Sequence, residues 1–115
     1  MIPKFRAWEK NMNAMIPVEN IDFLAKQINT NSVWRMFHEI ELMQYTGLKD
    51  KNDVEIYEGD IVTWSTEDRR DRFIVEYVGG GYKCPYHWLF KWEHTEVIGN
   101  IYENPELLGE NNDCN

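Results

Sequence analysis

Short apolar stretches at period two, each closed by a turn of Gly, Asn, Asp or charged residues, recur along most of this chain. Alternation of this kind puts one side of a strand inward and the other toward water. Strands so short and so closely punctuated leave a β-rich domain as the main option, with a small barrel as its natural closure. Lys4-Phe5-Arg6-Ala7-Trp8 alternates, Glu9 to Asn13 reads as a turn, and Met15-Ile16 follows, which predicts an opening hairpin. Further on, Val54 to Tyr57 leads through Glu58-Gly59-Asp60 into Ile61 to Trp64. Gly tolerates positive φ and Asp bonds nearby amides, so that corner should be tight. Phe73, Val75 and Tyr77 share one strand face that ends at Gly79-Gly80-Gly81. Val97, Gly99 and Ile101 give a last strand. Asn104-Pro105-Glu106-Leu107-Leu108 then gives one helical turn, with Pro at a favoured first position.

Two stretches fit more than one element. Ile21, Leu24, Ala25 and Ile28 match a helical stripe, while Ile21 and Phe23 share a strand face. From Val33 to Tyr45, residues Trp34, Met36, His38, Ile40 and Leu42 line one face at period two; Val33, Phe37 and Ile40 fit a helix less well, and strand is favoured. The expected fold is mainly β, or α+β with little helix. Residues 1–46 form an N-terminal β segment that begins with the hairpin extension, 47–108 a barrel-like part of the same domain, and 109–115 a disordered tail.

Aromatic residues make up 14% of the 115, a share that requires a core because each ring favours burial. The net charge is −8. It disfavours broad binding to nucleic acid or anionic lipid, both driven by positive charge. No apolar run approaches the roughly 20 residues that span a bilayer. The first residues, Met1 to Arg6, lack the apolar stretch of a secretory leader. Cys84 and Cys114 are too few for a disulfide framework and read as free thiols. The expectation is a cytoplasmic chain without membrane contact.

Four segments resemble the YopX family: Ile2 to Trp8 (IPKFRAW), Leu42 to Asp50 (LMQYTGLKD), Glu55 to Val62 (EIYEGDIV) and Glu96 to Leu108 (EVIGNIYENPELL). They fall in the family's order and span nearly the whole chain. The resemblance implies a bacteriophage or prophage origin, a cytoplasmic location in a bacterial host, a β-rich fold and a tendency to oligomerise. It supplies no catalytic residues. Two departures stand out: Asn52-Asp53 replaces the Asn-Gly turn of relatives, and Thr66 to Trp92 resembles the family poorly.

Candidate chemistry is sparse. Cys84 and His87, with His94, Cys114, Glu93 or Glu96 as further ligands, lack the paired Cys-x-x-Cys spacing of a zinc site, and no metal or other cofactor is expected. Glu55, Glu58 and Asp60 cluster around Gly59. A turn-bonding Asp60 with solvated glutamates explains the glycine, whereas a catalytic pair does not. His38 among Met36, Phe37 and Ile40 reads as a packed, hydrogen-bonded histidine. Gly79 to Gly81 has no helix after it to form a phosphate loop. An enzyme is not expected.

The residues that remain point to binding. Tyr82, Cys84, Tyr86, Trp88, Phe90 and Trp92 share one parity, and Tyr86, Trp88, Phe90 and Trp92 form the expected interaction surface, because a small barrel cannot enclose them all. Trp88 and Trp92 would anchor it, in a homo-oligomer or against a host or phage protein. The alternative is a nucleic-acid-binding barrel with Arg69, Arg70, Arg72, Lys83 and Lys91 beside those rings, although Glu67, Asp68 and Asp71 largely cancel the arginines.

Overall fold

Period two in the first segment sorts its residues as expected: in β1 (Phe5–Glu9) Ala7 and Glu9 are buried while their neighbours are half-buried. The computed structural model describes residues 4–30, 33–65, 70–78, 81–82 and 90–109. The architecture is mainly β, the barrel-like class that the turn spacing predicts. The chain divides into two compact units, Met1–Tyr45 and Thr46–Asn115.

In the first unit, β1 pairs antiparallel with β2 (Ala14–Pro17), closing the expected hairpin, and on its other side with β6 (Ile40–Lys49). A second sheet runs β3 (Asn20–Asp22), β4 (Gln27–Thr30), β5 (Val33–Met36), all antiparallel. Of the two readings of residues 21–28, the strand is adopted only as far as Asp22: residues 23–26 form a turn, which corrects the strand face expected to join Ile21 and Phe23, and β4 begins at Gln27. Asp22 Oδ1 accepts the Ala25 amide at 3.0 Å, and Lys26 takes a φ of 56°, so the chain reverses where a helix would continue. The strand reading of 33–45 also holds, but the segment is broken at residues 37–39 by a 3-10 turn. Glu39 Oε1 accepts the Met36 amide at 2.8 Å and closes that turn. The break shifts the phase: Ile40 is buried, whereas Trp34 and Met36 are exposed. His38 is exposed as well, which corrects the packed histidine expected from its apolar neighbours. Ala7, Ile28 and Ile40 form this unit's core, with Ile16, Val18, Ile21, Phe37 and Leu42 packed around them.

In the second unit, β8 (Asp60–Ser65) is the central strand between β9 (Arg70–Ile74) and β12 (Glu96–Asn100). β7 (Glu55–Tyr57) lies beside the last residues of β6, where the Thr46 hydroxyl donates to the Ile56 carbonyl at 2.8 Å, and β10 (Tyr77–Val78) pairs with β11 (Gly81–Tyr82). The register aligns Val62 with both Phe73 and Val97, so these side chains share a face with Trp64 and Val75. Ile56, Val62, Trp64, Phe73 and Val75 are the core. Tyr77 departs from the predicted face: the strand pairing stops at Ile74, and Tyr77 is exposed in the separate β10–β11 hairpin.

Buried polar side chains fix the turns. At Gly59, φ is 87°, Asp60 Oδ2 accepts the Tyr57 amide at 2.8 Å, and the Gly59 carbonyl accepts the Ile101 amide at 2.9 Å. Asn100 Oδ1 accepts the Tyr102 and Glu103 amides at 3.0 and 2.8 Å, while Asn104 Oδ1 accepts the Asn100 amide at 3.2 Å. That last bond needs Gly99, because a Cβ there would lie 2.5 Å from Asn104 Oδ1. Gly99→Ala should therefore displace the Asn104 amide and cost about 1–3 kcal/mol, the usual range for overpacking. A thermal melt unchanged from wild type would show that the turn tolerates the methyl.

Candidate functional site

The two described members of the expected interaction surface, Phe90 and Trp92, are core-forming. Phe90 and Trp92 are half-buried and pack against Ile56, Val62, Trp64, Phe73 and Val75. Phe90 meets Trp64 and Phe73 edge-on at centroid distances of 5.3 and 6.0 Å, and Trp92 meets Phe73 at 5.8 Å and Phe90 at 5.2 Å. Edge-to-face geometry sets the positive rim of one ring on the negative face of the next. The single-parity strand does not reach this far. Trp92–His94 is a 3-10 turn, closed because the buried Thr95 gives both its amide and its hydroxyl to the Trp92 carbonyl, at 3.0 and 2.6 Å. Tyr86 and Trp88 lie outside the described residues.

Of the five basic candidates, the structure describes Arg70, Arg72 and Lys91. Arg70 and Arg72 belong to β9 rather than to a preceding loop. Arg72 Nη1 donates to the Leu107 carbonyl at 2.8 Å and ties the C-terminal 3-10 turn to the sheet, a structural use of its charge. Arg70 and Lys91 are exposed. Arg69 and Lys83 lie outside the described residues.

The carboxylates around Gly59 divide as the turn reading requires for Asp60, which is 1% exposed and spent on backbone. Glu55 Oε1 accepts the Tyr57 hydroxyl at 3.5 Å. Burial, then the Glu58 carboxylate, then Tyr77 raise the Tyr82 phenol above its usual 10.0. The Tyr82 ring meets Tyr77 edge-on at 5.2 Å. A raised phenol favours the neutral form in the folded chain, so its contribution is intact below pH 10.0 and fades as pH climbs through the folded value. An alkaline spectrophotometric titration should show a late-ionising phenol that Tyr82→Phe removes; an unchanged titration curve in that variant would refute the assignment.

No group of three or more His, Cys, Asp or Glu converges among the described residues. His94 and Glu93 are exposed, and Glu96 Oε1 pairs with Lys51 Nζ at 3.4 Å. Cys84, His87 and Cys114 lie outside the described residues.

The feature that sequence reasoning missed is in the first unit. Most large exposed apolar side chains among the described residues sit there: Met12, Phe23, Leu24, Val33, Trp34 and Met36, against Val54 and Tyr77 in the second unit. The signal was present in the two ambiguous stretches, 21–28 and 33–45, where apolar residues exceed what one buried face can take. A shallow recess of about 230 Å³ lies in the same unit, with Phe5, Val18 and Ile21 among its lining and Glu19 and Asn20 exposed beside them.

Comparison with known proteins gives a consistent result. The family model described as YopX protein matches residues 4–109. Among solved structures, the crystal structure of protein EF1440 from Enterococcus faecalis is similar, with 30% identity, a TM-score of 0.74, and coverage of 94% of this chain and 99% of that one. No curated protein matches the sequence.

Proposed function

Because the chain belongs to the YopX protein family, we propose that it is a non-enzymatic accessory protein of a phage or prophage that works by self-assembly and protein–protein contact in the host cytoplasm. The observation that carries this reading is the exposure of Phe23, Leu24, Trp34 and Met36 on one unit, in a chain whose buried carboxylates among the described residues, Glu9, Asp50 and Asp60, hold backbone amides. A carboxylate that holds a turn is poorly placed to move protons, because releasing it would leave buried amides without partners. Exposed apolar groups beyond a few hundred Å² favour a binding partner. Phe90 and Trp92 already have a role in the ring core, so the assembly reading draws on the first unit.

The test is light scattering on a sizing column with nucleic-acid and protein absorbance recorded together, on material purified without nuclease. A multimer with a protein-only spectrum is the expected result. A peak dominated by nucleic-acid absorbance that is stripped by salt would instead support the single-strand or duplex alternative, since counterion release makes such binding steeply salt-dependent.

A further inference from the structure

We infer that the outer face of the β3–β4–β5 sheet, with the turn at residues 23–26, is the surface by which one copy of this chain joins a second. The inference rests on the assembly reading above and gives it a location. The register places Asn20, Asn29 and Trp34 in one row across the sheet and Asp22, Gln27 and Met36 in the next. Residues opposed across an antiparallel ladder point to the same side, so all six share a face. The other face carries Ile21, Ile28 and Arg35, and it turns inward: Ile28 is fully buried, with Ile21 packed on the same core.

On the outward face Trp34 is 49% and Met36 41% exposed. The turn continues the apolar surface, with Phe23 at 69% and Leu24 at 98%. It is held beside Met36 by the Phe37 amide donating to the Lys26 carbonyl at 2.9 Å and by the edge-on Phe23–Phe37 contact at 6.1 Å. Taking about 200 Å² for a large side chain, these four expose about 500 Å². Two copies meeting through this face would bury about 1,000 Å², the lower bound for a specific interface.

The chemistry of the face selects a second copy as the occupant. Besides the apolar residues it presents Asn20, Gln27 and Asn29, primary amides that donate and accept at once and therefore match themselves across a two-fold axis. Its charges are Asp22, whose Oδ1 accepts the Ala25 amide, and the exposed Lys26 of the turn, which are opposite in sign. A chain of net −8 repels its own copies over most of its surface. A nearly neutral face is where two such copies approach with least repulsion, and it has little to attract a basic partner. Edge-to-edge pairing through β5 is disfavoured, because the Glu39 carboxylate occupies the Met36 amide. The contact is therefore face to face, with Trp34 as the central anchor.

Sedimentation velocity on the full chain, wild type against the Leu24→Asp, Trp34→Glu double variant, tests this. The expected result is an assembled wild type and a variant reduced to 13.8 kDa with an unchanged far-ultraviolet spectrum. An assembled, folded variant of wild-type mass would overturn the surface while leaving the assembly reading standing. A monomeric wild type would overturn both. If the double variant misfolds, Leu24→Asp alone decides, since a side chain 98% exposed contributes little to the fold. Its dissociation constant should rise about tenfold or more, and an unchanged constant would overturn the surface.

Discussion

Asp50→Ala is expected to lower the melting temperature sharply. Asp50 is 5% exposed and has no surface to lose, yet it joins two distant segments. Its Oδ1 accepts the Asn52 and Val54 amides at 2.8 and 2.9 Å, and its Oδ2 accepts the Val97 amide at 2.9 Å, 47 residues away. Alanine would leave three backbone donors without their acceptor in a part-buried place. At about 1–3 kcal/mol for each unsatisfied buried donor, some of which water can reach, the loss should be about 3–5 kcal/mol. For a domain this size that is a drop of about 15 °C or more. Asp50→Asn should fall between the two, because the amide keeps one acceptor oxygen but sets an N–H where a second acceptor is needed. Chemical denaturation of the three proteins checks the order; an Asp50→Ala variant within about 1 kcal/mol of wild type would refute the role.

The second large effect concerns the ring core. Phe73 is 1% exposed at the centre of the edge-on set formed with Phe90 and Trp92. Phe73→Ala should cost about 3–5 kcal/mol, the range for deleting a buried ring together with the cavity it leaves. That is a large share of the 5–15 kcal/mol by which an ordinary domain is stable. Trp92→Ala is the informative companion. A half-buried ring with two aromatic neighbours should lose about 1–3 kcal/mol, whereas a ring that serves only a partner would leave stability unchanged. Equal melting curves for Trp92→Ala and wild type would return Trp92 to the interaction surface.

Much of the second unit was legible in the sequence because its turns carry local chemistry. Gly59-Asp60 announces a corner through φ tolerance and an amide-binding carboxylate, and the structure shows both. Pro105 opens a 3-10 turn at the position expected of it. Asp53 adopts a φ of 66°, a conformation that favours glycine, with Asp50 holding the turn from inside. The partners of Asp50 were not legible, since Val97 is distant in sequence and only the fold brings it near.

Parity was the weaker guide wherever a single-turn interruption intervened. The 3-10 turn at residues 37–39 separates Trp34 and Met36 from Ile40, although all three share a parity and would face one way on an unbroken strand. The 3-10 turn at Trp92–His94 likewise takes Trp92 out of the strand geometry that its parity implies. Each interruption is closed by one side chain, Glu39 in the first case and Thr95 in the second. Neither residue carries a signal that distinguishes it in sequence from a solvated neighbour. The exposed apolar face of the first unit followed from that phase shift, so it emerged only with the structure.

The most direct test of the account is sedimentation equilibrium of the intact chain over a wide concentration range. Self-assembly predicts a mass that is a whole multiple of 13.8 kDa, with dissociation only on dilution. A mass of 13.8 kDa at every concentration, without a co-purifying protein, would contradict it.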